Sequence, residues 1–190
     1  QEAGIGRIVN IGADLASTAS SIALAEKYPF IYAAAGVHPS DAAQLNEHTF
    51  QWLSEQTAHE KVVAVGEIGL DYYWEKDSEV RANQRYWFRR QLNLAREKAL
   101  PVSIHSRDAA KDTLDIAKEE HLAEIGGVVH CFSYTVEMAR EYLNMGMYLG
   151  IGGVLTYKNA RVLKEVVDYA PMDRIVLETD SPYLTPVPNR

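Results

Sequence analysis

The chain has 190 residues, 47% of them hydrophobic and 24% charged, with one cysteine and a formal net charge of -7. That length supports one well-buried domain, and those proportions exclude wholesale disorder and collagen-like repeats. The negative balance argues against a protein that grips nucleic acid by broad phosphate neutralisation, but leaves room for a phosphate held locally by metal ions.

No apolar run approaches the ~20 residues of a membrane-spanning helix. The opening Gln1-Glu2-Ala3-Gly4 has neither the basic start nor the apolar core of a signal peptide. Cys131 has no second cysteine to pair with, so a disulfide-stapled secreted domain is not expected. A cytoplasmic location without membrane attachment is the expectation, and no feature points to an obligate protein partner.

In chain order, apolar β-rich runs fall at residues 7–12, 30–37, 62–70, 102–105, 127–132, 147–153 and 174–179. Most are near-continuous apolar runs, which mark parallel strands covered on both faces. Helical patterns lie between them. Val80, Trp87, Phe88, Leu92, Ala95 and Ala99 make one stripe, and Val136, Ala139 and Leu143 a shorter one, with Gly146 behind it as a C-cap. Ser40 and Asp41 are placed as caps for the helix after the second strand. Pro29 and Pro101 stand where a helix has ended and a strand begins. No linker or low-complexity tract interrupts the pattern, so residues 1–190 form one domain.

Seven β-α units fit either a doubly wound sheet or an incomplete (β/α)8 barrel. Ile11-Gly12-Ala13-Asp14 and Ile151-Gly152-Gly153 carry too few glycines for the usual nucleotide-binding loop. Polar residues recur at the C-terminal ends of separate strands, where barrel enzymes build their sites. A full barrel typically needs ~250 residues. The reading is therefore an α/β TIM-type barrel short of one strand.

Four of those ends carry ligand-type side chains: Glu67, His105, His130 and Asp180. Taken singly, Glu67 reads equally well as a structural ion pair, each histidine as a satisfied core residue, and Asp180 as a turn or cap before Pro182. Taken together, a closed barrel converges them at one mouth. Two histidines and two carboxylates without cysteine suit Zn²⁺, Mn²⁺ or, with added waters, Mg²⁺. His38 and Arg107 are weaker candidates for contacting a phosphate, the former doubling as a turn residue and the latter as a partner of Asp108 or Asp112. Glu178 shares the parity of Asp180 as a supporting carboxylate or an interior ion pair, and Asp71 either orients a ligand or caps a turn. Tyr72, Tyr73 and Trp74 either stack bases or cover the barrel rim. Cys131 has the opposite parity to His130 and is expected to face the helix layer.

Five motifs occur in order: Gly36-Val37-His38-Pro39, Gly66-Glu67-Ile68-Gly69-Leu70-Asp71, Pro101-Val102-Ser103-Ile104-His105-Ser106-Arg107, His130-Cys131-Phe132-Ser133 and Glu178-Thr179-Asp180-Ser181-Pro182-Tyr183. In these the chain resembles the TatD family of metal-dependent deoxyribonucleases, in the amidohydrolase superfamily. The resemblance implies a (β/α)8-type barrel with two divalent ions at its C-terminal mouth, Mg²⁺ first and Zn²⁺ or Mn²⁺ as alternatives. It implies Glu67 as the carboxylate shared between the metals, His105 and His130 as ligands of one, and Asp180 as a ligand of the other that also takes the proton of the attacking water. It implies His38 and Arg107 beside the substrate phosphate, and hydrolysis of DNA phosphodiesters, often from the 3′ end of single strands.

The same resemblance places a His-x-His strand before these residues and a helix after them. The chain is thus read as an internal piece of a longer protein, weak or inactive alone. Tyr134 stands where the family usually has glycine. Two other functions compete: a related hydrolase of ester or amide bonds, including D-aminoacyl-tRNA, and a non-catalytic barrel whose four residues pair internally. The lack of a lysine in the strand that carries Glu67 favours the nuclease over the amide hydrolase.

Overall fold

The computed structural model describes residues 2–189. Seven strands, β1 (Ile8–Ile11), β2 (Ile31–Ala35), β3 (Val62–Asp71), β4 (Val102–Arg107), β5 (Gly127–Val129), β6 (Tyr148–Ile151) and β7 (Ile175–Leu177), form one sheet. All pair in parallel, and their order in the sheet is their order in the sequence. A doubly wound sheet would reverse its order at a switch point, whereas sequential order is how a TIM-type barrel winds. The architecture is that of a TIM-type barrel, as its sequence pattern implies.

Helices α1 (Leu15–Lys27), α2 (Glu47–Gln56), α3 (Ser78–Lys98), α4 (Ala110–Glu119), α5 (Leu122–Ile125), α6 (Val136–Asn144) and α7 (Arg161–Tyr169) lie between the strands. Among the described residues no helix is long and apolar enough to cross a membrane.

Local chemistry fixes several boundaries differently from the sequence reading. Ser40 and Asp41 do not cap an α-helix. They sit in a 3-10 helix, Pro39–Gln44, whose cap is His38, and α2 is capped by Asn46. In α3, Trp87, Phe88, Leu92 and Ala95 are buried as the stripe requires, but Val80 is exposed and Ala99 is a left-handed C-cap in solvent. Gln84, Gln91 and Leu94 take the remaining interior positions. The two glutamines are buried because each answers backbone groups. Gln91 Oε1 accepts from Val37 N–H at 2.8 Å while its Nε2 donates to Val37 carbonyl at 3.1 Å, and Gln84 Oε1 accepts from Asp71 N–H at 3.1 Å.

The interior falls into two apolar groups that share α3. One joins Ile22, Ala33, Ala35, Leu53, Trp87 and Leu94 beneath β2, and the other joins Ile68, Leu92, Ile104, Tyr142 and Leu149 beneath the later strands. Burial on this scale fixes the strands that carry the site.

Candidate active site

Three backbone features set the first half of the site. β3 runs through Asp71, so Glu67 sits inside a strand and not at its end. The pairing of β3 with β4 shifts register between Val65 and Ile68, and Glu67 N–H donates to Gly12 carbonyl at 2.6 Å. An irregularity of this kind re-aims a side chain. Gly69 follows with φ +144°, and a Cβ there would lie 1.9 Å from the His105 carbonyl oxygen. Only glycine permits β3 and β4 to approach this closely beside both Glu67 and His105. His38 is set by its own N–H donating to Ala13 carbonyl at 2.7 Å, next to the Gln91 bracket on Val37.

The second half is built beyond strand ends. The sequence reading carried β5 to residue 132 and β7 to 179, but the ladders stop at Val129 and Leu177. His130 N–H still donates to Ile104 carbonyl at 2.8 Å, and then Cys131 turns into the left-handed region at φ 44°. That turn cancels the strand parity that assigned Cys131 to the helix layer. Burial, then the charges of Asp180, Glu178 and Glu67, push its thiol up to about 12.

Three imidazoles converge on one carboxylate. Glu67 Oε1 lies 2.9 Å from His105 Nδ1, 3.8 Å from His130 Nε2 and 3.9 Å from His38 Nε2. The side chains of Glu67, His38, His105 and His130 are all mostly buried. Among the described residues no lysine or arginine lies within 4.0 Å of Glu67. Asp180 joins through His130 Nε2, 3.0 Å from its Oδ1, and is more open at 33% side-chain exposure. The four residues read as ligands from the sequence, together with His38, therefore occupy one connected cluster. Arg107 lies at the exposed rim, its guanidinium 4.0 Å over the Tyr73 ring, and among the described residues it pairs with neither Asp108 nor Asp112.

The partners of the second ring nitrogens sort the three imidazoles, because a neutral ring carries its one proton on the nitrogen facing an acceptor. His105 Nε2 faces Asp71 Oδ2 at 3.1 Å, and His130 Nδ1 faces Glu178 Oε2 at 2.7 Å. Those carboxylates hold N–H groups on these atoms, so a cation that displaced the second ring proton would meet lone pairs of His105 Nδ1 and His130 Nε2 on the side of Glu67, the orientation of a metal ligand. His38 is the reverse. Its Nδ1 accepts from Ser40 N–H at 3.2 Å, which leaves the proton on Nε2. His38 thus faces Glu67 as a donor.

The charges agree. Burial, with nearby His105, brings His38 down to about 4, so it is neutral. Burial alone would raise Glu67, but the His105 contact and the charges of His130 and His105 hold it at about 2. Burial would lower His130, yet Asp180, Glu178 and Glu67 outweigh it and lift it to about 11. His105 is raised in the same way by Asp71 and Glu67 against burial. Four carboxylates around two imidazoles thus demand positive charge.

A divalent cation fits that demand. Two donors across one ion with bonds of about 2.0–2.2 Å stand up to roughly 4.3 Å apart, and each contact from Glu67 to an imidazole lies inside that span. Glu67 and His105 also bring one ligand atom each within 4.8 Å of a His38 ring nitrogen, where the His38 proton on Nε2 makes that ring a donor beside the ion and not a ligand of it. Nitrogen and carboxylate donors without thiolate suit Zn²⁺, Mn²⁺ or Mg²⁺.

The supporting carboxylates Asp71 and Glu178, ambiguous in the sequence, are resolved by these contacts. Glu178 also accepts from Cys131 N–H at 2.7 Å. Gly150 makes room for it, since a Cβ there would sit 2.4 Å from Glu178 Oε2. Tyr134 braces the neighbouring loop, its hydroxyl 3.0 Å from Ser106 Oγ and accepting from Ala109 N–H at 3.5 Å.

A family model described as TatD related DNase matches residues 1–190. The chain belongs to that family. It is 47% identical over 186 residues to "Uncharacterized metal-dependent hydrolase YabD" of Bacillus subtilis, covering 98% of this chain and 72% of the relative. It is 37% identical over 185 residues to "3'-5' ssDNA/RNA exonuclease TatD" of Cronobacter sakazakii, covering 97% of this chain and 70% of that protein. Against other curated relatives it spans 57% of their length. The crystal structure of YJJV, a TatD homologue from Escherichia coli K12, superposes with a TM-score of 0.88 at 34% identity, over 96% of this chain and 70% of the other. The chain is thus a member of a metal-dependent hydrolase family with a TIM-type barrel.

Proposed function

We propose that the protein is a cytoplasmic phosphodiesterase that degrades single-stranded DNA from its 3′ end, using two divalent ions, Mg²⁺ first and Zn²⁺ or Mn²⁺ as alternatives. The observation that carries this reading is the convergence of His38, His105 and His130 on the buried Glu67 carboxylate, with no lysine or arginine within 4.0 Å of it among the described residues. The family and the name of the Cronobacter relative supply the substrate class.

In this reading Glu67, His105 and His130 hold one ion, and Glu67 with Asp180 holds the second. Divalent ions there supply Lewis acidity to the scissile phosphate and make a water easier to ionise. The remaining work falls to the side chains. Asp180, the most open carboxylate of the cluster, takes the proton of the attacking water. His38, neutral and with its proton on Nε2, donates to a phosphate oxygen. Arg107, unpaired and at the rim, sets its charge against the phosphate as negative charge grows there. Asp71 and Glu178 keep His105 and His130 in ligand orientation.

The test is degradation of a 5′-labelled single-stranded oligonucleotide by the full-length protein in Mg²⁺, beside metal content for wild type and Glu67→Gln. Stepwise shortening from the 3′ end, lost with the metal in the variant, supports the reading. Intact oligonucleotide with wild-type metal fully bound would sink it in favour of another ester or amide substrate.

A further inference from the structure

Tyr73 and Trp74 follow β3 directly, two and three residues past Asp71, which holds His105. Their neighbour Tyr72 is packed away. It is 7% exposed, its hydroxyl donates to Asp112 at 2.8 Å and accepts from Arg85 at 2.9 Å, and Arg81 lies 4.3 Å over its ring. Tyr73 and Trp74 are not. They are 43% and 69% exposed and meet edge to face at 4.5 Å between centroids. The Trp74 ring in particular is left open to a ligand beside the candidate site.

The Arg107 guanidinium lies 4.0 Å over Tyr73 and 5.8 Å from the Trp74 ring. Arg107 pairs in register with Asp71 across β3 and β4, and stands two residues beyond His105, about 7 Å along the strand. Tyr73 N–H donates to Asp71 Oδ1 at 2.9 Å, so the platform and the carboxylate that orients His105 move as one piece. Lys76 Nζ donates to Tyr72 carbonyl, and Arg81 Nε to Glu75 carbonyl. Among the described residues Lys76, Arg81 and Arg107 have no carboxylate within 4.0 Å. Three cations without a close carboxylate partner thus stand beside the rings at the edge of the candidate site, in a segment that also holds Glu75, Asp77 and Glu79. Rings for bases and cations for phosphates, side by side, are what a single strand of nucleic acid requires.

We propose that the Trp74 ring stacks a nucleobase near the 3′ end of a single strand, with Tyr73 propping it edge to face and Arg107 on the adjoining phosphate. This rests on the nuclease reading above and sharpens it: the enzyme reads flat bases and not the backbone alone. Trp74 is a binding residue, since it would touch the substrate away from the scissile bond, and Tyr73 is a positioning residue that acts through it. Duplex ends, whose bases are already stacked and paired, are the poorer substrates.

The test compares a single-stranded oligothymidylate with the same oligomer carrying abasic residues at its last two 3′ positions. Stacking is worth about tenfold per base, so wild type is expected to prefer the intact oligomer by about that factor in kcat/KM. In Trp74→Ala that ratio falls toward one, with the loss in KM, and Trp74→Phe restores most of it. A second readout is independent of turnover. Oligothymidylate quenches tryptophan emission in wild type, the abasic oligomer does not, and the quench is lost in Trp74→Phe although Trp52 and Trp87 remain. Equal ratios in wild type and Trp74→Ala, or a quench that survives in Trp74→Phe, overturn the platform while cleavage of both oligomers upholds the nuclease. Cleavage of neither oligomer overturns the nuclease reading, and the quench still decides the platform.

Discussion

The two halves of the candidate site are built differently. His38, Glu67, Asp71 and His105 are held by the sheet and its immediate supports: the Gln91 bracket on Val37, the Glu67 N–H bond to Gly12, and the close approach of β3 and β4 at Gly69. His130 and Asp180 lie past the ends of three-residue strands, where exposure climbs to 89% at Leu177. Asp180 meets His130 Nε2 at 3.0 Å, and one further carboxylate braces both the ring and its loop: Glu178 faces His130 Nδ1 and accepts from Cys131 N–H at once. Denser backbone support on one side and heavy reliance on Glu178 on the other predict unequal tolerance to mutation.

The largest effect falls where the halves meet. Glu67→Gln removes the negative charge that all three imidazoles face. Loss of divalent metal and at least about a thousandfold loss of phosphodiester cleavage is expected, because a bound metal contributes several kcal/mol at the transition state. Metal content by elemental analysis and oligonucleotide turnover check it together.

The next pair tests the asymmetry itself. Glu178→Gln sets an amide N–H₂ against the His130 Nδ1 proton, favouring the tautomer that places the proton on Nε2 and hides the lone pair. Asp71→Asn does the same to His105, but there the strand and Glu67 still hold the ring. Supporting carboxylates of this kind are worth about 10- to 100-fold in metal affinity. The expectation is about 100-fold for Glu178→Gln and about 10-fold for Asp71→Asn, read by competition with a metal indicator. Equal losses would erase the distinction between the halves.

Gly150→Ala reaches the same carboxylate from the scaffold side. Its Cβ would sit 2.4 Å from Glu178 Oε2, so the carboxylate must turn away. Overpacking costs about 1–3 kcal/mol, and metal affinity is expected to fall in the same direction as in Glu178→Gln, by a smaller factor. The double variant should be no worse in metal affinity than Glu178→Gln alone, since both act through one group.

Much of this was legible in the chain. Seven apolar runs gave seven parallel strands, because strands covered on both faces are written as continuous apolar residues. The residues of the cluster were legible because charged and imidazole side chains stand out inside such runs. What escaped was set by tertiary contact. Gln84 and Gln91 lie outside the apolar stripe read for α3, and only the backbone groups they answer make them interior. His38 read as a donor to phosphate or a turn residue, and what the sequence did not show is that its Nδ1 caps the 3-10 helix by accepting from Ser40 N–H, where capping was assigned to Ser40 and Asp41. For Cys131 strand parity does not apply, because the ladder ends at Val129 and the chain turns there.

The smallest effect tests whether the first half is as well supported as it looks. Asp14 caps α1 and shares a reciprocal bond with Ser17, accepting from its N–H at 2.6 Å while Asp14 N–H donates to Ser17 Oγ at 2.8 Å. The residue before it supplies the carbonyl that fixes His38. Asp14→Ala should cost about 1 kcal/mol of stability at pH 7, measured by urea unfolding, with little change in metal affinity. The bonds from Ser17 hold the Asp14 carboxyl below its usual value, against a weaker pull from burial. The charged form is therefore favoured by the fold, and its contribution is complete well above the unfolded value of about 3.9. It disappears as pH falls through the lower folded value, so the gap between wild type and Asp14→Ala narrows on acidification. Asp14→Asn keeps an acceptor oxygen but no titrating group. It should lose less at pH 7 than Asp14→Ala, and its gap to Asp14→Ala should hold constant with pH. A metal affinity that fell in Asp14→Ala as far as in Glu178→Gln would show that the half held by the sheet also hangs on one contact.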